Sequence, residues 1–209
     1  MKNFFILLGV YISIVPLVIA ILKIKKLNRA FILLTLMIAC ETGVSIYSRG
    51  QQINNINNLP SLHFLTFFEF LLGGSFFYLS IQSQSLKRWI LFLMVSFLSY
   101  TIINSFYIQR IEVYNQIART LEAYLFVLFS FFFFYELLKQ EGVIRLSQSP
   151  EFWAVTAFFT YFGTTQFVHL FPNYIMDHHY RFYLILGHLN RLMVIIYYSI
   201  FTIALWKKK

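Results

Sequence analysis

Of 209 residues, 59% are hydrophobic, 21% aromatic and only 12% charged, against roughly 25% charged in an average soluble domain. So few polar residues cannot cover the surface of a water-soluble fold, which excludes a soluble globular domain and makes lipid the solvent. The formal charge of +9 is spread over short gaps between apolar runs, which argues against nucleic acid and makes the basic residues orientation signals.

A spanning helix needs about 20 mostly apolar residues, and seven such runs follow one another, near 4–22, 30–47, 62–81, 89–107, 119–138, 152–171 and 182–206. The predicted architecture is an all-α seven-transmembrane helical bundle, one integral membrane domain over 1–209. The first run holds Pro16, which predicts a kink. It is long, lacks a small-x-small cleavage site and is followed by Lys23, Lys25 and Lys26, so it reads as an uncleaved helix. The second run is the shortest and carries Cys40, read as a packing residue, and Glu41. The gap from Ser48 to Ser61 includes the Asn54–Asn58 stretch, an exposed turn region. Gly73-Gly74 in the third run predicts close approach of a neighbouring helix. The fifth run contains Phe131–Phe134, a packing or lipid-facing patch. The remaining loops are too short to fold alone, so no kinase, nuclease or receptor ectodomain is expected. No internal repeat aligns the polar positions of spans 1–3 with those of spans 5–7.

Orientation follows the basic residues. One set of gaps carries eleven: Lys23, Lys25, Lys26, Arg29, Lys87, Arg88, Lys139, Arg145, Lys207, Lys208 and Lys209. The other carries Lys2, Arg49, Arg110, Arg119 and Arg181. The imbalance places the N-terminus outside and the C-terminus in the cytoplasm.

Ionisable groups at membrane depth are costly and mark interiors or wet cavities. This chain has Glu41, Glu69, Glu122, His169, His188 and Arg191 within spans, Asn190 beside the last, and His63 near a span end. At about 1.5 Å per residue, most of these fall in the outer half of the bilayer, Glu41 lies near the midplane, and Glu136 is the exception toward the inner side. Helix-to-helix pairing of Arg191 with Glu41 or Glu69 accounts for any one of them. Three carboxylates against one arginine leave two charges uncompensated, which points to an outward-open pocket. Its expected ligand-binding residues are Glu41, Glu69, Glu122, His188, Asn190, Arg191, His63 and His169, with the side chains of the first three, His188 and Arg191 within about 10 Å of one another.

No H-x-x-x-H or H-E-x-x-H pair places two ligands on one helical face, and His178 and His179 are adjacent loop residues, so no metal site is expected. No cofactor and no catalytic residue is expected either. There is no lysine deep in a span for a retinal Schiff base, no G-x-S-x-G, no P-loop, no G-x-G-x-x-G and no spaced arginine series.

Four segments carry a resemblance: His63-Phe-Leu-Thr-Phe-Phe-Glu69-Phe, Arg119-Thr-Leu-Glu122 leading to Tyr135-Glu136, Pro150-Glu-Phe-Trp153, and His188-Leu-Asn190-Arg191. With these the chain resembles a family of small, uncharacterised seven-span bacterial membrane proteins of the Bacteroidetes type, some encoded near sensor histidine kinases. The resemblance implies a signalling role and a membrane partner such as a histidine kinase. The expected function is a sensor or receptor-like component that binds a small ligand or cation and acts through that partner. The alternatives are a small-molecule or proton-coupled transporter and an intramembrane metal-dependent lipid hydrolase. The latter is similar to ceramidase-like enzymes in span number but lacks their paired-histidine spacing. A purely structural assembly subunit is the remaining reading.

Overall fold

The computed structural model describes residues 9, 11–139, 146–170 and 180–208, and not the side chains of 167–170, 180 and 183. Lys2, Arg145, His178, His179, Lys209, the first residues of the first span and the His169 side chain lie outside the described residues. Within them the fold is all-helical, with seven α-helices and no strand: α1 (Ile14–Leu22), α2 (Arg29–Ile53), α3 (Leu59–Ser80), α4 (Gln84–Ile103), α5 (Gln116–Leu138), α6 (Pro150–Leu170) and α7 (Tyr180–Lys207). Five are long and apolar enough to cross a membrane: α2, α3, α4 with its extension to Ile108, α5, and α7 from Leu184. Helix α6 has spanning length but is diluted by Thr156, Thr160, Thr164, Thr165 and Gln166. Helix α1 is described over only 9 residues.

Local sequence explains the ends. The chain turns at Ile12–Ser13 before α1, which puts Pro16 in the first helical turn, where its missing N–H costs no bond. Asn28 caps α2 by accepting from the Phe31 amide at 3.1 Å. Helix α2 runs to Ile53, beyond the expected end near 47, because Ser48 to Gln52 contain no proline and the chain turns only at the asparagines. There Asn55 takes a left-handed φ of 57°, with Ile56 N donating to Gln51 O and Asn55 N to Gln52 O. This two-bond C-terminal closure suits asparagine, which tolerates that conformation. Pro60 lies in the first turn of α3. At α6 the Ser149 hydroxyl accepts from the Phe152 amide at 3.2 Å, with Pro150 opening the helix. Helix α4 ends in a π-turn over Asn104–Ile108.

Helices α1, α2, α3, α5, α6 and α7 close into a ring by successive packing, α7 returning onto α1, while α4 packs outside on α3 and α5. The centre of the ring is filled with phenylalanine. Phe70, Phe76, Phe77, Phe126, Phe129, Phe158 and Phe201 are fully buried. Phe126 lies 5.1 Å from Phe70, 4.9 Å from Phe158 and 4.6 Å from Phe162, ring centre to ring centre. The close approach expected at Gly73-Gly74 is present: a Cβ on Gly73 would stand 2.7 Å from Phe126 Cζ, and one on Gly74 2.9 Å from Met94 Sδ. The end bearing most of the basic residues is clamped. Lys208 Nζ pairs with Glu151 at 2.7 Å, and Lys23 Nζ donates to the Trp206 and Lys208 carbonyls. At that end Glu136 accepts from the Gln82 and Ser83 amides, at 2.9 and 2.6 Å.

Candidate functional site

Toward the opposite end, on the side of the bundle that carries the loops at 54–58 and 109–115, the ring holds a cavity of about 170 Å³. Five of the ring helices, α2, α3, α5, α6 and α7, contribute to its wall together with the segment just before α1, and α4 does not. Ser13 comes from just before α1, Glu41 and Ser45 from α2, and Glu69 from α3. Arg119 comes from α5, Tyr161 from α6, and Tyr197 and Tyr198 from α7. Helical spacing accounts for the sets: Glu41 and Ser45 are one turn apart on one face, as are Val194 and Tyr198.

The charges fall into two groups. Arg119 stands one turn into α5 and bridges two carboxylates through one nitrogen: Nη1 is 2.6 Å from Glu69 Oε2 and 2.8 Å from Glu122 Oε2. Arg119 and Glu122 share a face by their i, i+3 spacing, and Glu69 reaches across from α3. Glu122 is fully buried, and its other oxygen, Oε1, accepts no hydrogen bond among the described residues. Glu41 is 4% exposed and has no basic partner among the described residues. It is held instead by two phenols: Tyr198 donates to Oε2 at 2.8 Å and Tyr197 to Oε1 at 3.4 Å. Tyr197 in turn packs on Tyr161, ring centres 4.6 Å apart. With these groups ionised, Glu41, Glu69, Glu122 and Arg119 sum to a charge of −2 inside the bundle.

The arginine of this centre is therefore Arg119 and not the expected Arg191. Arg191 is half-exposed on α7, with Nη1 3.3 Å from His188 Nδ1, and His188 is exposed. Neither of these, nor Asn190, lines the cavity. The structure thus joins Glu41 and Glu69 in one cavity, couples Glu122 to them through Arg119, and leaves His188, Asn190 and Arg191 apart. His63 is buried and structural in its contacts. Its Nε2 donates to the Val113 carbonyl at 2.9 Å and its Nδ1 meets Ser105 Oγ at 2.8 Å, tying α3 to the segment after α4. Beside it, Asn115 donates to Thr66 Oγ1 at 2.7 Å. Among the described residues no group of three His, Cys, Asp or Glu side chains is placed to hold a metal ion.

Sequence reasoning passed over Arg119 because its place at the edge of the fifth apolar run makes it look like a loop residue. It also passed over Tyr161, Tyr197 and Tyr198. The available signal was the phenol itself, since a tyrosine hydroxyl at mid-span needs a hydrogen-bond partner. A second hollow, of about 350 Å³, lies at the clamped end and includes Asn28, Ser80, Glu136 and Glu151 in its wall. The phenylalanine core separates the two. Comparison of the chain with protein-family models, with curated proteins and with solved structures gave no match.

Proposed function

We propose that this chain is a seven-span bacterial inner-membrane protein, N-terminus outside, whose polar cavity binds a small ligand and signals through a membrane partner. The observation that carries the reading is one cavity walled by five helices and the segment before α1 and lined by buried charge. An occupant that touches several of those helices gains or loses contacts when they rearrange, and such differential affinity is the thermodynamic requirement for a sensor. The excess of basic residues at the clamped end, Lys23, Lys25, Lys26, Arg29, Lys87, Arg88, Lys139, Lys207 and Lys208, supports placing that end in the cytoplasm and the cavity in the outer half. The sequence resemblance supports a histidine kinase as the partner class.

The test is affinity capture of the tagged protein from its native membranes, compared with a cavity-filled Ser45→Phe variant. A signalling role predicts a specific effector whose activity or association changes in the variant. Recovery of no specific partner would overturn the reading.

Transport is the second reading, favoured by one observation: hollows at both ends, of about 170 and 350 Å³, on either side of the aromatic core. It requires Phe70, Phe126 and Phe158 to move aside, since all three are fully buried. Proteoliposome flux that does not change in Glu41→Gln and Glu69→Gln variants would dispose of the proton-coupled form.

A further inference from the structure

Ligand class follows from which charges in the cavity are already engaged. An anion would rely on the one guanidinium in the wall, Arg119, whose single positive charge already faces two carboxylates, Glu69 and Glu122. An anion would also enter a region whose groups, when ionised, sum to −2. Glu41 is the opposite case. It is 4% exposed, faces the cavity, and makes no ion pair with a basic side chain among the described residues. Two phenol hydroxyls occupy two of the roughly four lone-pair positions a carboxylate offers, leaving the others for a further donor.

Around that carboxylate the wall is aromatic. Tyr161, Tyr197 and Tyr198 line the cavity together, with Tyr197 and Tyr198 ring centres 5.1 Å apart. Aromatic faces attract cations, most strongly where water is excluded. A bare inorganic cation is too small to fill the space. At about 30 Å³ per water-sized occupant, the volume of about 170 Å³ suits some five or six non-hydrogen atoms.

We propose that the cavity binds a small organic ammonium ion, its nitrogen against Glu41 and its carbon atoms against the three tyrosine rings. This rests on the ligand-pocket reading above and narrows it to one ligand chemistry. Binding would bring a positive charge to the side of the centre that Arg119 does not serve, and would draw α2 toward α6 and α7. Those helices carry Glu41, Tyr161 and the Tyr197–Tyr198 pair respectively.

Isothermal titration of the purified protein in lipid nanodiscs tests this, with ethylammonium and tetramethylammonium as probes. Acetamide, acetate and sodium serve as neutral, anionic and inorganic comparisons at fixed ionic strength. The expected result is saturable binding of ethylammonium, weakened about 10- to 100-fold in Glu41→Gln, the range expected when a charge-assisted hydrogen bond is lost. Ser45→Phe, which keeps every charge but fills the space, should abolish it, so the proposal does not depend on Glu41→Gln folding. Ammonium binding unchanged in both variants would overturn the proposal, as would equal competition by sodium. Binding of acetate or acetamide instead, lost in Ser45→Phe, would overturn the ammonium assignment and leave the ligand pocket standing. No binding by any probe would overturn both.

Discussion

On α3 the buried carboxylate of Glu69 is followed directly by the fully buried ring of Phe70, and on α5 Glu122 precedes Phe126 by one turn. The polar centre and the aromatic core therefore share helices and differ in what holds them. In the polar centre a few directional contacts each carry a large energy: one guanidinium nitrogen serves two carboxylates, and two phenols serve a third. In the core many weak contacts are summed, and the fit of volumes decides the outcome. A substitution that keeps size but changes charge should damage the first and spare the second. One that keeps polarity but changes size should do the reverse.

The largest effect is expected at Arg119. Arg119→Leu leaves Glu69 and Glu122 buried without their cation and should cost about 3–5 kcal/mol in equilibrium unfolding in mixed micelles. Arg119→Lys should recover much of that, because a single nitrogen makes both contacts and an ammonium can take its place. A stable Arg119→Leu protein would break the comparison, since the polar centre would then be held by packing. Next comes Gly73→Ala, which adds one methyl 2.7 Å from Phe126 Cζ and 3.2 Å from Met37 Sδ. The expected loss is about 1–3 kcal/mol, with Gly74→Ala milder because the chain of Met94 can shift. Equal costs at the two glycines would mean the core yields as readily at Phe126 as at Met94.

Tyr198→Phe should cost about 1 kcal/mol by removing the 2.8 Å bond to Glu41, and Tyr197→Phe less, its contact being 3.4 Å. Reversal of that order in the same unfolding assay would show that Glu41 is held mainly by Tyr197. The smallest effect belongs to Arg191. Its described side-chain contact is with the exposed His188, so Arg191→Ala should stay within about 0.5 kcal/mol and leave ammonium binding intact. A loss comparable to that of Arg119→Leu would place Arg191 in the polar centre after all.

The helices themselves were legible because lipid imposes a length and an apolarity that are written directly into each run. The limits of α3, α5 and α7 lie within about three residues of those read from the sequence, while α4 begins five residues sooner, at Gln84. The run of α2 past Ser48 was not, since polar residues at a membrane surface extend a helix as readily as they end one. Of the site, Glu41, Glu69 and Glu122 stood out because a carboxylate in a span is rare. Their counter-charge did not, because Arg119 and Arg191 are equally plausible by depth alone.

Sequence by itself determined that the chain is a helical protein of the kind that lives in a membrane, that Glu41, Glu69 and Glu122 lie inside apolar runs, and that its carboxylates there outnumber its cations. Only the tertiary structure decided which arginine serves them, which three tyrosines line the cavity, and that α4 stays outside the ring. The physical reason is that apolarity is a property of each segment and can be summed along the chain. Pairing depends on the rotation of each helix about its own axis, and neighbouring helices set that rotation only when they pack.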